Sequence, residues 1–203
     1  TAVATDGHRL VKFIKESGGP KEHSLIVPEK FLKIIKNTIK EEETLRVDID
    51  ENLLSTNQKN FTITTRIIKE TFPDFNSVIP DNNTIQAKLK TEDLISCLKR
   101  VSIFSNRTTK QTVLSFSEKG VVVSAQDPET SASGKEHADC EYKGESITVS
   151  YNAKYLIEVL QHINTENVKI YLSTPLSAAI VKPEEQKAKE DLTILLMPLR
   201  LNN

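Results

Sequence analysis

The feature of this 203-residue chain that most constrains its fold is an internal repeat. Residues 25–49 and 147–172 share one layout, in which a short strand is followed by an amphipathic segment, an acidic turn and an alternating strand. Lys30 aligns with Lys154, which sets the repeat length at about 120 residues. Because a repeat of that length is the size of a small domain, the chain is expected to hold two copies of one building block.

The two copies are not equally complete. Residues 84–120 of the second copy have no counterpart upstream in the first, so the first copy is expected to lack its beginning. The stretch Pro80–Asn83 is rich in turn-forming residues and has no apolar periodicity, which predicts a boundary between the copies. We therefore expect one domain over residues 1–80 and a second over residues 81–203.

Local periodicity predicts a few helices among many strands. The helical period marks three segments, residues 28–40, 92–104 and 152–163. On the second segment it predicts a buried stripe of Leu94, Leu98 and Val101, and on the third a buried stripe of Tyr155, Leu156, Val159, Leu160 and Ile163. Pro28 stands in the first turn of the first helix, which is expected to bury Phe31 and Leu32, and Thr91 and Asn152 are candidate N-caps of the others. Alternation predicts strands at residues 45–49, 61–64 and 168–172, and a hairpin turn at residues 117–121. The predicted class is α+β with antiparallel sheets.

Charge and cysteine usage exclude several classes of protein. There are 27 Lys and Arg against 28 Asp and Glu, so any contact with nucleic acid must come from local clustering of basic residues. Cys97 and Cys140 stand far apart without a CxxC pattern, which predicts neither a zinc site nor a disulfide framework and favours a reducing, cytoplasmic location. The longest apolar stretch, Leu192–Leu201, is too short to span a membrane and predicts a buried strand.

Motifs for common catalytic and cofactor chemistry are missing. The sequence contains no GxGxxG, P-loop, GxSxG, HExxH or EF-hand loop, which argues against an enzyme without excluding one and predicts no cofactor or metal. His8 stands near Asp6, which leaves open an enzyme that uses this pair for acid–base chemistry. An Asp-Gly pair before an apolar strand is first of all a turn, because glycine tolerates positive φ. The acidic run Glu41–Glu43 is expected to stay solvated and is assigned no function.

Basic residues recur on the outward faces of the predicted helices. They are Lys33, Lys36 and Lys40 on the first helix, Lys99 and Arg100 on the second, and Lys154 on the third. A solvated face is the ordinary explanation, but several such helices side by side could line a surface that faces phosphates. Such a contact would be electrostatic and indifferent to base sequence, because no aromatic residues are interleaved.

A second candidate surface is apolar and lies at Leu195–Leu201, where Pro198 ends regular strand pairing. The segment is either a final core strand with a frayed tail or one wall of an apolar groove for a short partner peptide. The residues alone leave both alternatives open.

Four strings are together specific to one known family. They are TDGHRL at Thr5–Leu10, TFPDF at Thr71–Phe75, SYNAKYL at Ser150–Leu156 and LLMPLRL at Leu195–Leu201. In these strings and their order the chain closely resembles the bacterial sliding clamps, the beta subunits of DNA polymerase III, over essentially its whole length. The resemblance implies the DNA-clamp fold, in which each domain has two helices and antiparallel sheets. It identifies residues 1–80 with part of the middle domain and residues 81–203 with the last domain.

The resemblance also implies a groove between these domains for short peptides in which Gln is followed by Leu and Phe. The corresponding positions are Thr5, Gly7, His8, Arg9, Leu10, Pro73, Val78, Asn152, Tyr155, Leu176, Leu195, Leu196, Met197, Pro198, Leu199 and Arg200. Contacts to the partner's apolar anchors are expected from Leu10, Val78, Leu176 and Leu196. Bonds to its backbone or glutamine are expected from His8, Arg9, Asn152 and Arg200. The chain departs from the family pattern at Ser77, Thr109 and Ala178.

The function implied by the resemblance is that of a non-catalytic processivity factor. Three domains per subunit form a head-to-tail homodimeric ring around duplex DNA, and the groove tethers the polymerase III alpha subunit, the clamp loader and repair proteins. The candidate DNA-facing residues are Lys30, Lys33, Lys36, Lys99, Arg100 and Lys154. The main alternative is a peptide-binding scaffold that keeps the groove but does not encircle DNA.

Overall fold

The computed structural model describes residues 1–16, 23–39, 44–58 and 60–201 of the chain. In chain order its helices and strands are β1 (Ala2–Thr5), β2 (Arg9–Lys15), α1 (Glu29–Thr38), β3 (Arg46–Ile49), β4 (Leu53–Gln58), β5 (Phe61–Arg66), β6 (Ile85–Lys90), α2 (Thr91–Val101), β7 (Gln111–Ser117), β8 (Gly120–Asp127), β9 (Ala132–Ala138), β10 (Glu141–Lys143), β11 (Ile147–Asn152), α3 (Ala153–Gln161), β12 (Asn167–Leu172), β13 (Ala179–Pro183) and β14 (Glu190–Leu196). Two 3-10 turns lie at Asn76–Val78 and Ser102–Phe104. By compactness the chain divides into a larger unit, residues 1–17 and 75–203, and a smaller unit, residues 18–74.

Two sheets form the larger unit. One has seven strands in the order β1-β2-β14-β13-β12-β6-β10, and the other has four in the order β11-β7-β8-β9. All of these strand pairs are antiparallel. Antiparallel neighbours can be joined by a tight turn, as β7 and β8 are where Ser117 pairs with Gly120. The predicted α+β class and the predicted hairpin at residues 117–121 are both confirmed.

The main core of the larger unit is built from α2, α3 and both sheets. On α2, Leu94, Leu98 and Val101 recur at helical spacing and are all buried. They belong to one apolar cluster with Leu156 and Leu160 of α3. Burying each leucine contributes about 1.5–3 kcal/mol relative to leaving it exposed. The apolar stripes predicted for these two helices are therefore confirmed as core-facing.

The two helices of the larger unit begin differently. Asn152 caps α3 as predicted, because its side chain accepts hydrogen bonds from the backbone N–H groups of Lys154 and Tyr155. The prediction that Thr91 caps α2 is wrong, since Thr91 is already inside the helix. Its buried hydroxyl instead donates to the Thr165 carbonyl at 3.0 Å, which satisfies a polar group that would otherwise be unpaired.

The smaller unit contains α1 and the antiparallel sheet β3-β4-β5. Pro28 precedes α1 as its N-cap residue and does not form its first turn. Phe31 is buried as predicted, but the side chain of Leu32 is 53% exposed, so its predicted burial is wrong. One residue rotates the helix by about 100°, which turns Leu32 away from the face that Phe31 shares with Ile35.

The remaining predictions concern strands and helix ends. The strands predicted at residues 45–49, 61–64 and 168–172 are confirmed as β3, β5 and β12. Residue 40, the predicted end of the first helix, and the acidic run 41–43 lie outside the described residues. No helix in the described part of the chain is both long enough and apolar enough to cross a membrane. The boundary expected near residue 80 stays a prediction.

Candidate peptide-binding site

The turn between β1 and β2 is held by its own side chains. Gly7 has φ +83°, a left-handed conformation that glycine adopts without a steric penalty. The Asp6 carboxylate accepts hydrogen bonds from the backbone N–H groups of His8 and Arg9, each at 3.0 Å. The Thr5 hydroxyl donates to the Arg9 carbonyl at 2.8 Å. The predicted Asp-Gly turn is confirmed, and the backbone beside His8 and Arg9 is fixed.

Arg9 joins this turn to helix α3. Its Nε lies 3.0 Å from Asp6 Oδ2 and its Nη1 lies 2.7 Å from Glu158 Oε2. The guanidinium carbon lies 4.7 Å from the centre of the Tyr155 ring, within the range of a cation–π interaction. The His8 ring also stacks on Tyr155, with ring centres 5.6 Å apart. Five side chains from two distant parts of the sequence therefore form one cluster.

The charges in this cluster reinforce one another. Partial burial on its own would raise the pKa of Asp6, but hydrogen bonds from the His8 and Arg9 backbone and from the Arg9 side chain hold it below its ordinary value. Partial burial would likewise lower the pKa of Arg9, and the bonds to Glu158 and Asp6 raise it instead. Asp6 and Arg9 are therefore both ionised at neutral pH.

A small second apolar cluster lies beside the turn. Leu10 of β2 pairs with Leu195 of β14, and both are buried in contact with Ala178. Val3, Phe75 and Ile79 pack partly buried around it. Leu196 is only 1% exposed and belongs to the main core, because adjacent side chains on a strand point to opposite faces. The expectation that the Leu196 side chain contacts a partner is therefore wrong, and Leu195 faces the second apolar cluster instead.

The segment after β14 is irregular, so the strand predicted over residues 192–201 continues only to Leu196. Its backbone is nevertheless held at three points. The Met197 N–H donates to the His8 carbonyl at 2.9 Å, and the Leu199 N–H donates to a β11 carbonyl at 2.7 Å. The Arg200 carbonyl accepts from Gln111 Nε2 at 3.0 Å. The Met197 side chain, in contrast, is half exposed.

The start of α3 is tied to the loop before β7. Asn152 Nδ2 donates to the Thr109 carbonyl at 2.9 Å, while Asn152 Oδ1 accepts the two N–H groups at the start of the helix. Both ends of the Asn152 amide are therefore engaged within the chain. The amide nitrogen carries two N–H groups and uses one of them for Thr109, so the second can make the expected bond from Asn152 to a partner.

Two of the expected apolar contacts are open to solvent. The side chains of Val78 and Leu176 are 55% and 67% exposed. Val78 precedes Ile79, and Leu176 stands two residues before Ala178, so both flank the second apolar cluster. Exposed apolar residues beside a buried apolar floor are the arrangement of a shallow peptide groove.

The larger unit thus contains fifteen of the sixteen predicted groove positions, and Pro73 belongs to the smaller unit. The structure also identifies two groups that the sequence analysis missed, Glu158 and Gln111. Glu158 follows Tyr155 by three residues on α3, so helical spacing could have indicated it. Gln111 could not have been found locally, because it bonds to a carbonyl 89 positions away.

The predicted DNA-facing residues lie on helices of both units. Lys30, Lys33 and Lys36 are exposed on α1 of the smaller unit. In the larger unit Lys99, Arg100 and Lys154 are also exposed. Two of the six charges are paired, because Lys33 Nζ lies 2.6 Å from Glu29 Oε1 and Arg100 forms a two-bond ion pair with Glu136.

In the described ranges no group of three or more His, Cys, Asp or Glu side chains could hold a metal ion.

Two family models match the chain. The model described as the DNA polymerase III beta subunit, central domain, matches residues 1–74, and that of the C-terminal domain matches residues 76–200.

Individual relatives point to the same family as the two family models. The beta sliding clamp of Haemophilus influenzae is 31% identical over 98% of this chain and 54% of its own length, and that of Escherichia coli K12 is 29% identical with the same coverage. The chain therefore spans about half the length of these relatives. A Pseudomonas aeruginosa sliding clamp matches with a TM-score of 0.91 at 28% identity, covering 98% of this chain and 55% of that one. Another P. aeruginosa clamp, bound to griselimycin, matches at 0.90 and 27%, with 98% and 54% coverage.

Proposed function

This chain belongs to the family of DNA polymerase III beta subunits, the bacterial sliding clamps, and on that premise we propose that it is part of a ring that encircles duplex DNA. In this proposal the protein makes and breaks no bond. A closed ring cannot leave the duplex sideways, so weak and salt-sensitive phosphate contacts are sufficient and permit sliding. A groove on the ring holds the replicative polymerase near its template at high effective concentration.

The groove is proposed at the β1–β2 turn, the start of α3 and the segment Met197–Arg200. One observation carries this assignment: His8 stacks on Tyr155 and its carbonyl accepts the Met197 N–H, so three segments far apart in sequence meet at one residue. The second apolar cluster lies beside them and is flanked by the exposed side chains of Val78 and Leu176. This combination suits a peptide with aliphatic and aromatic anchors beside a polar residue.

In this proposal the polar rim is already largely organised. Arg9 is bonded to two carboxylates, and the backbone of Met197–Arg200 is held at three points. A rim fixed before binding loses little conformational entropy when the peptide arrives. The partners proposed are short linear segments of the polymerase III alpha subunit, the clamp loader and repair proteins.

The DNA contact is proposed for the basic helix faces. Lys30, Lys36, Lys99 and Lys154 are exposed with no ion pair among the described residues, so their charge is available to phosphates. Lys33 and Arg100 remain proposed contacts, with the difference that each would share its charge with a neighbouring carboxylate. Such contacts would give affinity without sequence specificity.

The wider organisation follows the same premise. We place the end of the middle clamp domain near residue 80 and assign residues 81–203 to the C-terminal domain. The ring is proposed to be a homodimer of full-length subunits, located in the cytoplasm, where replication takes place.

A peptide titration tests the groove. A labelled peptide with the pattern Gln-Leu-x-Leu-Phe should bind this chain, and Leu176→Asp should weaken binding by about tenfold or more, because an anchor contact is replaced by a charge. Ile103→Asp makes the same change at another exposed position of the larger unit and should leave the affinity unchanged. Absence of binding at high micromolar peptide by the folded chain would refute the groove.

A second experiment separates the clamp from the scaffold that does not encircle DNA. In the full-length protein, Lys30→Gln with Lys36→Gln should reduce retention on circular duplex DNA, since two phosphate contacts are lost. Lys119→Gln with Lys187→Gln removes the same charge from exposed positions outside the proposed surface. If both double variants behave like the unaltered protein, the scaffold is the better description.

A further inference from the structure

The rim cluster around Arg9 carries more negative than positive charge. Asp6 and Glu158 each contact the one guanidinium, at 3.0 and 2.7 Å, so two carboxylates face a single cation. The Arg9 guanidinium carbon also lies over the Tyr155 ring, 4.7 Å from its centre. The positive charge of Arg9 is therefore already neutralised, and the cluster of Asp6, Arg9 and Glu158 keeps a net negative charge.

The two carboxylates differ in what they can still bind. Asp6 uses one oxygen for the backbone N–H groups of His8 and Arg9 and the other for the Arg9 side chain. Glu158 bonds to Arg9 through one oxygen, and its side chain is 37% exposed. The Asp6 side chain is also partly exposed, at 43%, but only Glu158 keeps an oxygen that makes no hydrogen bond among the described residues, so Glu158 is the carboxylate with a free site for an arriving side chain.

We infer that Glu158 makes this end of the groove select peptides by charge, favouring partners with a basic residue beside the anchor motif and rejecting partners with an acidic one. The inference rests on the proposed peptide groove. A partner carboxylate directed at Arg9 would have to lie beside Glu158 or displace it, and either leaves like charges close together. A lysine or arginine of the partner can pair with the exposed Glu158 carboxylate without bringing like carboxylate charges together.

The expected size of this charge preference follows from the exposure of the cluster around Arg9. Ion pairs at exposed positions contribute modestly, so changing a flanking residue from Glu to Lys should strengthen binding by about three- to tenfold at low salt. The preference should shrink as salt rises, because exposed charges are screened. If Glu158 had a purely structural role, replacing it would weaken the binding of both peptides equally and leave the ratio of their affinities unchanged.

The test compares two peptides across three proteins. Both carry Gln-Leu-x-Leu-Phe with blocked ends, one flanked on both sides by Lys and the other by Glu, so the direction of binding does not matter. The unaltered chain, Glu158→Gln and Glu166→Gln are each titrated with both peptides at low and high salt. Glu158→Gln removes the charge but keeps an oxygen that can accept from Arg9. Glu166→Gln removes the same charge at an exposed site of the larger unit away from Arg9.

The inference predicts that the Lys-flanked peptide binds more tightly to the unaltered chain and to Glu166→Gln, and that Glu158→Gln loses most of the preference. If both peptides bind the unaltered chain and Glu158→Gln leaves the preference as it was, the charge selection is wrong while the groove stands. Equal affinities of the unaltered chain for the two peptides would also show that the charge selection is wrong while the groove stands. Failure of both peptides to bind any of the three proteins would refute the groove and this inference with it.

Discussion

The Tyr151 hydroxyl lies in the main core of the larger unit without a hydrogen-bond partner in the described part of the chain. Burial raises the pKa of this phenol, as expected for a group shielded from water. Tyr151→Phe removes the unpaired polar atom and keeps the ring, so we expect a free energy of unfolding that is unchanged or higher by up to about 1 kcal/mol. Urea unfolding measures the difference.

Tyr142 provides the matched control for this prediction. Its hydroxyl donates to the Glu145 carbonyl, so Tyr142→Phe should lower the free energy of unfolding by about 1 kcal/mol. A Tyr151→Phe variant that loses more stability than Tyr142→Phe would show that the Tyr151 hydroxyl has a partner.

The two cysteines make the free energy of unfolding depend on pH in the alkaline range. Burial raises the pKa of each thiol from 9.0 to about 11. Between these values the unfolded chain has lost protons that the folded chain keeps, so stability falls as pH rises through this window. We expect a loss of up to about 2 kcal/mol from the buried Cys97 between about pH 8 and pH 10.5, and a smaller loss from the partly buried Cys140.

Urea unfolding at the two pH values checks this prediction, with the double variant Cys97→Ala and Cys140→Ala as the comparison. The variant is less stable at both pH values because it loses buried volume, but its stability should change less with pH. An equal pH dependence in both proteins would mean that the thiols do not cause it.

At the scale of elements, Asn152 connects helix stability to the site. Asn152→Ala removes the cap of α3, and we expect the free energy of unfolding to fall by about 1 kcal/mol. Asn152→Ser keeps an acceptor for the N–H groups at the start of the helix and loses the bond to the Thr109 carbonyl without placing a second oxygen against it. It should therefore retain most of the stability in a thermal unfolding experiment. A Ser variant as unstable as the Ala variant would show that the Thr109 bond, not the cap, matters.

The spacing of apolar residues predicts the helices and strands well wherever one face of the helix or strand packs against the core. Leu94, Leu98 and Val101 were identified from spacing alone, since a buried stripe must repeat with the helix. Thr91 and Leu32 were misplaced for a common reason. Spacing tells which residues share a face, but whether that face is covered, or where a hydroxyl finds its partner, depends on segments distant in sequence.

At the scale of the whole molecule, the candidate site was predictable only in part. The motif strings located the β1–β2 turn and the segment after β14, because these strings carry the resemblance to the family. They gave no information about Glu158 or Gln111, and they assigned Leu196 to the wrong face of its strand. Such details depend on pairing between strands far apart in the chain, such as β2 with β14.

The most direct measurement of the central claim is a map of where the peptide binds. Nuclear magnetic resonance of the isotope-labelled chain, titrated with the Gln-Leu-x-Leu-Phe peptide, reports each backbone amide separately. We predict that the largest shifts fall at Gly7, His8, Tyr155 and Met197, while exposed Lys119 stays unchanged. Saturable binding with shifts confined to other surfaces, and none at the β1–β2 turn or the segment after β14, would contradict the account.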